Sequence, residues 1–299
     1  MKSRTWLMKN FVRKLDGNLN LRSIYSKNVM CMNQKSDQKG KKQSFFDFAA
    51  EVGLTKHLGG LEATEKLLEL CRVGEDSYIL DVGCGAGQSS CFIGMKHGCR
   101  VVGVDINEMM IKRSKESAER EGVEDIVEFR VADAQDLPFD DDVFDAVISE
   151  SVTAFPEDKQ RAVSEYTRVT KPGGYVGLNE ATWLKTPPPP DVLAWASQDL
   201  GASAKPLTPE EWAGLLQGAG LTEIVVEVSG INSRKEAKGL VRRYGYGGML
   251  RSIVRGIYMY ARNPAYRRFV KEVRNGGITP ENLEECFGYG IYVGKKETH

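Results

Sequence analysis

The sequence predicts an α/β fold: a doubly wound, mostly parallel sheet carrying helical cap insertions. Three observations point to it. From Tyr78 onward, short apolar runs alternate with helix-length amphipathic segments. The first apolar run ends directly in a glycine cluster. The 299 residues give room for one large domain, with 41 % hydrophobic and 27 % charged residues as in ordinary globular chains. A βαβα order implies parallel strands joined by right-handed crossovers. Ligands of such sheets bind beyond the carboxyl ends of the strands, at the point where strand order reverses.

Taken in order, Tyr78-Ile79-Leu80-Asp81-Val82 reads as the first strand and 88–97 as a helix. Val101-Val102-Gly103-Val104-Asp105 reads as a buried second strand. A helix over 107–121 follows, with Asn107 as N-cap and Met109, Met110 and Ile111 turned inward. Residues 126–131 form a third strand and 144–149 a fourth, after the turn-like Asp140-Asp141-Asp142. A helix over 157–170 is stopped by Lys171-Pro172-Gly173-Gly174, and 175–178 is the fifth strand. An insert over 181–206 holds Trp183 and Trp195. Thr208-Pro209-Glu210-Glu211 then opens a helix with a capping box, ended by the glycines at 218 and 220, and 222–229 is the sixth strand.

Three ligand-competent features follow three successive strands. Asp81-Val82-Gly83-Cys84-Gly85-Ala86-Gly87 has alternating glycines that let the backbone turn sharply and approach a ligand. The spacing is GxGxG, not the GxGxxG of a dinucleotide site. Asp105, followed by Ile106, ends the second strand, where a carboxylate can accept from vicinal ribose hydroxyls. It can equally serve as an acid near a helix N-terminus. Ala132-Asp133-Ala134-Gln135-Asp136-Leu137-Pro138-Phe139 follows the third strand. There a carboxylate can accept from an exocyclic amine while the next N–H donates to a ring nitrogen.

With these residues in place, the sequence resembles the class I S-adenosylmethionine-dependent methyltransferases, nearest the small-molecule group of quinone-biosynthesis and sterol enzymes. Phe144-Asp145-Ala146-Val147 and Arg168-Val169-Thr170-Lys171-Pro172-Gly173-Gly174 also match, so the likeness covers about a third of the chain, 78–180. It implies a seven-stranded sheet whose antiparallel last strand is Gly288-Tyr289-Gly290-Ile291-Tyr292-Val293-Gly294. It implies that Gly83, Cys84, Gly85 and Gly87 line the methionine part of the donor. It further implies that Asp81 approaches the amino group, that Asp105 and Ile106 hold the ribose, and that Asp133 and Ala134 read the adenine. The expected organisation is a basic segment 1–42, a core of 43–229 plus 286–299, and a basic helical cap over 230–285.

Two candidates for the chemistry itself are Glu150 and His57. Glu150 follows the fourth strand at the ligand side; a general base, a substrate contact and a cap for the next helix all fit it. His57 lies in Gly53-Leu54-Thr55-Lys56-His57-Leu58-Gly59-Gly60, before a helix over 61–71, where relatives close a lid over the cofactor. A structural role also fits a lone histidine. The fourth strand is not followed by an Asn/Asp-Pro-Pro-aromatic motif or a nucleophilic Cys, which disfavours base methylation in nucleic acid.

A net charge of zero conceals a strong asymmetry. Residues 1–42 carry +9 and 233–274 carry +10, so the rest carries −19. The basic insertion, read as helices over 232–262 and 263–274 broken near glycines 245, 247 and 248, has aromatic residues among its arginines. Four readings stay open: a lid paired with the acidic body, recognition of an anionic substrate, docking at an anionic membrane, or RNA binding. The six cysteines form no CxxC pair, so reduced thiols, no metal site and a cytoplasmic location are expected. The overall expectation is methyl transfer from S-adenosylmethionine to O, N or C of a small, lipid-like or anionic acceptor. An RNA or protein methyltransferase and a non-catalytic donor-binding protein are the alternatives.

Overall fold

The computed structural model describes residues 45–53, 55, 57–199, 204–231, 233–275 and 280–298. The basic segment 1–42, with Cys31, lies outside the described residues. Helices α1 (Phe45–Val52) and α2 (Gly60–Leu70) precede the sheet. Its strands are β1 (Tyr78–Val82), β2 (Arg100–Asp105), β3 (Val127–Val131), β4 (Phe144–Glu150), β5 (Thr170–Trp183), β6 (Leu221–Gly230) and β7 (Phe287–Lys296). They lie in the order β3-β2-β1-β4-β5-β7-β6. The first five pair in parallel, and β7 runs antiparallel between β5 and β6. Strand order reverses between β1 and β4, so a ligand crevice opens beyond their carboxyl ends.

Crossovers α3 (Gln88–His97), α4 (Glu108–Glu121) and α5 (Lys159–Val169) cover the parallel half. Side-chain alternation along β1 serves both faces: Ile79 packs with Leu67, Ile93 and Val101, while Leu80 packs with Val102, Val147 and Leu178. Burial on both faces explains why β1, β2 and β4 read as apolar runs rather than alternating ones. Asn107 caps α4 through hydrogen bonds from the N–H groups of Met109 and Met110. Helix α7 (Pro209–Gly218) begins with the expected capping box of Thr208 and Glu211.

The fifth strand is longer than its sequence suggests. It pairs with β7 from Tyr175↔Lys295 to Trp183↔Phe287, so residues 181–183 belong to the sheet and not to an insert. Trp183 then packs on Phe287, ring centroids 5.2 Å apart. The remainder of that stretch holds a helix, α6 (Pro190–Asp199). Between β6 and β7 lie α8 (Ser233–Arg262), α9 (Pro264–Asn275) and the short α10 (Leu283–Cys286). Helix α8 bends at Gly245, whose φ of 61° and ψ of 171° are non-helical.

One buried acid fixes the loop after β4. Glu180 is fully buried on β5, and its Oε1 accepts from the N–H groups of Val152 (2.9 Å) and Thr153 (2.7 Å). Its Oε2 is buried without a hydrogen-bond partner among the described residues. Loss of hydration pushes the carboxyl up to about 7 from its ordinary 4.5. A raised folded-state value means that this group favours folding most below about pH 4.5 and loses that contribution as pH rises towards 7. Glu180→Gln keeps an acceptor for both N–H groups and removes the ionisation. It is expected to flatten the pH dependence of thermal stability between those limits and to gain on the order of 1–3 kcal/mol over the parent at alkaline pH. Denaturation followed against pH reads this directly, and a parallel slope in both proteins would refute it.

Candidate active site

The loop after β1 is a bare backbone floor. Gly83, Gly85 and Gly87 have φ of 74°, 53° and 78°, all left-handed. A Cβ on Gly83 would strike Val152 at 2.2 Å, and one on Gly87 would meet Ser114 at 2.7 Å. Cys84 adds only backbone here: its N–H donates to Val104 O, and its side chain is buried. Burial also drives that thiol well above its usual range, which makes it a poor nucleophile.

Asp105 stands at the rim of this floor. Oδ2 accepts from Gly85 N–H at 3.0 Å and Oδ1 from Asn107 N–H at 2.9 Å. Each oxygen keeps a further lone pair for a ligand hydroxyl. Ile106 beside it is 70 % exposed, an apolar side chain at the mouth of the crevice. Asp133, half-buried after β3, accepts from Gln135 N–H at 2.9 Å, with half-buried Ala134 next to it. Asp81 lies beneath the loop. Ser90 Oγ donates to its Oδ2 at 2.6 Å, and burial pushes the carboxyl up to about 7.

Glu150 gathers the opposite wall. Its carboxylate accepts from Ser89 Oγ (2.8 Å, on α3), Thr64 Oγ1 (2.9 Å, on α2) and Asn179 Nδ2 (3.3 Å, on β5). His57 Nδ1 is 3.3 Å from Oε2, 3.2 Å from Leu58 O and 3.4 Å from Asn179 Nδ2. His57 Nε2 lies 3.3 Å from Thr64 Oγ1. All five of these side chains are buried. The helix-capping reading of Glu150 is therefore wrong. The next helix starts at Lys159, and Asp158 caps it through Arg161 N–H.

Sequence reading missed the partners of Glu150. Asn179 and Glu180 carried a usable signal, because they follow the expected end of the fifth strand at 178. Ser89 and Thr64 carried none: short hydroxyl residues inside helices look neutral until the fold turns them towards one carboxylate.

Arg243 was also missed. Its Nη2 donates to Ser89 Oγ at 3.0 Å, placing α8 at the glycine loop. Its Nε and Nη1 are buried with no hydrogen-bond partner among the described residues. Tyr244, next along, donates from its hydroxyl to Thr55 O and accepts from Thr55 N–H, each at 2.7 Å. Thr55 in turn lies where a Cβ on Gly85 would stand, 2.9 Å away. The segment before α2 and the start of α8 thus close together over the floor.

These residues fit an adenosyl amino-acid donor. The floor's glycines carry no side chains of their own, Asp105 has lone pairs for a diol, and a guanidinium with two unmatched nitrogens beside the loop offers a charge suited to a carboxylate.

A methyltransferase-domain family model matches residues 80–178. A protein of Haemophilus influenzae is 29 % identical over 75 % of this chain and 90 % of its own length. A probable chloroplastic tocopherol O-methyltransferase of Oryza sativa is 28 % identical over 56 % of this chain, but the match spans only 44 % of that protein. Among solved structures, the [4+2]-cyclase SpnF superposes with a TM-score of 0.62 over 93 % of this chain and 94 % of its own, at 19 % identity. A methyltransferase of Geobacter sulfurreducens holding S-adenosylhomocysteine gives 0.61 over 85 % and 98 %, at 20 % identity. Those structural likenesses speak to the fold, whereas the family model covers the segment that builds the glycine floor and the Asp105 and Asp133 loops. Residues 80–178 thus carry a methyltransferase domain, similar in sequence to S-adenosylmethionine-dependent enzymes that act on small molecules.

Proposed function

We propose that the protein methylates oxygen, nitrogen or carbon of a small, lipid-like or anionic acceptor held between the α8–α10 segment and the ends of β4 and β5. The carrying observation is the buried Glu150 cluster directly beside the glycine floor. When bound, S-adenosylmethionine supplies a methyl group already activated on a sulfonium. The protein has then to align the acceptor and exclude water.

Each residue has a definite task in this reading. Asp105 holds the ribose diol, Ile106 borders it, and Asp133 with the Ala134 N–H takes the adenine edge. Gly83, Gly85 and Gly87, with the Cys84 backbone, let the amino-acid end lie flat, and Asp81 supports the loop from below. Arg243 receives the donor carboxylate on its two unmatched N–H groups. Glu150, reached by hydrogen bonds from Ser89, Thr64 and Asn179, orients His57 through Nδ1. His57, held in the same cluster, is the candidate group that takes a proton from an acceptor O–H or N–H. A tocopherol enzyme among the relatives supports a lipid-like acceptor, and a peripheral membrane location follows from that.

Calorimetric titration tests the donor site. S-adenosylmethionine and S-adenosylhomocysteine are expected to saturate the protein while NAD does not. Binding of NAD alone would overturn the reading. Asp105→Ala is expected to weaken donor binding by about 1–3 kcal/mol, since two hydrogen bonds to a charged group are lost. An unchanged affinity would mean that the ribose lies elsewhere. Arg243→Met separates the amino-acid end from the rest. It should weaken S-adenosylhomocysteine about 10- to 100-fold and leave 5′-methylthioadenosine, which lacks that end, unaffected. Equal losses for both ligands would remove the carboxylate contact from the reading.

A further inference from the structure

Beyond Gly245, α8 presents two unlike faces. Gly248, Met249, Ser252 and Met259 are buried against the protein. On the outer side, Tyr246, Leu250, Ile253, Val254, Ile257 and Tyr260 form one stripe at helical spacing. Tyr246 is 85 %, Ile257 66 % and Val254 58 % exposed, and no described residue covers them. Arg251 and Arg262 lie along one edge, both exposed. A contiguous apolar strip of this length on a protein surface marks a contact site.

Charge decides between its possible occupants. A second copy pairing stripe to stripe would bring one +10 segment against another. The chain's own segment 1–42, with its Trp6, Leu7, Phe11 and Val12 cluster, carries +9 and is repelled as well. An anionic bilayer surface answers both features, because it accepts apolar side chains below the headgroups and attracts the flanking arginines. No helix among the described residues is long and apolar enough to cross a membrane, so the contact is one of lying on the surface. From these observations we infer that the outer face of α8, from Tyr246 to Tyr260, docks the protein on an anionic lipid bilayer.

This deepens the lipid-like acceptor reading and rests on it for its purpose. The stripe begins three residues after Arg243, which touches the glycine loop through Ser89. An acceptor dissolved in the bilayer therefore meets the crevice at the docked edge.

The test is cosedimentation of the full chain with vesicles of phosphatidylcholine alone or mixed with phosphatidylglycerol, alongside calorimetric titration with S-adenosylhomocysteine. The parent protein is expected to bind the anionic vesicles at least about tenfold more tightly than the neutral ones, with raised salt weakening the contact. The double variant Ile253→Ser, Ile257→Ser should lose about tenfold or more of anionic-vesicle binding and keep its donor affinity, which also reports that it has folded. Equal vesicle binding by parent and variant would assign the contact to segment 1–42 and overturn the inference. So would no binding to either vesicle, or a parent dimer in light scattering that the variant abolishes. Loss of donor binding with vesicle binding intact would strike the methyltransferase reading instead, so the two fail separately.

Discussion

The site depends on one buried carboxylate. Glu150 ends β4 in a buried place, where a polar group is tolerated only when hydrogen-bond partners surround it. Those partners come from α2, α3, β5 and the segment before α2, as Thr64, Ser89, Asn179 and His57. Satisfying one buried carboxyl group therefore sets the position of four parts of the chain. The glycine floor inherits its place from this arrangement, because Ser89 lies two residues beyond Gly87 and is shared between Glu150 and Arg243. Removing the carboxylate would leave four donors facing each other across a dry gap.

A second acid, Glu180, works from the neighbouring strand position. It holds the N–H groups of Val152 and Thr153, and Val152 is what makes a side chain on Gly83 impossible. Asn179 and Glu180 are adjacent, so pleating sends them to opposite faces of β5. One face completes the Glu150 cluster while the other anchors the loop. The two ends of the crevice wall are thus tied to consecutive residues of a single strand, which explains how loops without regular structure hold a defined shape.

The strand order and the glycine floor were legible because they rest on local rules. Periodicity identifies β1, β2 and β4, and glycine spacing marks the floor. Asp105 and Asp133 are visible because a parallel sheet gives special meaning to residues just past each strand. The extent of β5 was not legible. Its last residues are held by pairing with β7, more than a hundred positions away in sequence, and no local pattern carries that information. Arg243 was hidden for a different reason. Among twelve basic residues of one segment, only three-dimensional packing distinguishes the one whose guanidinium enters the crevice. Glu150 was visible as a candidate, but its role depended on hydroxyl partners that carry no signature.

The contact of Arg243 with the floor has a consequence for turnover. On the proposed reading, a guanidinium clasping the amino-acid end of the donor is blind to the methyl group, which sits at the opposite side of the sulfur. The spent donor offers the same carboxylate as the fresh one, so the clasp does not loosen when transfer is complete. On the same reading, release would be eased by α8 letting go of Ser89 and Tyr244 letting go of Thr55. An enzyme built this way would be slowed by its own by-product, and its working rate would follow how quickly the cell clears S-adenosylhomocysteine.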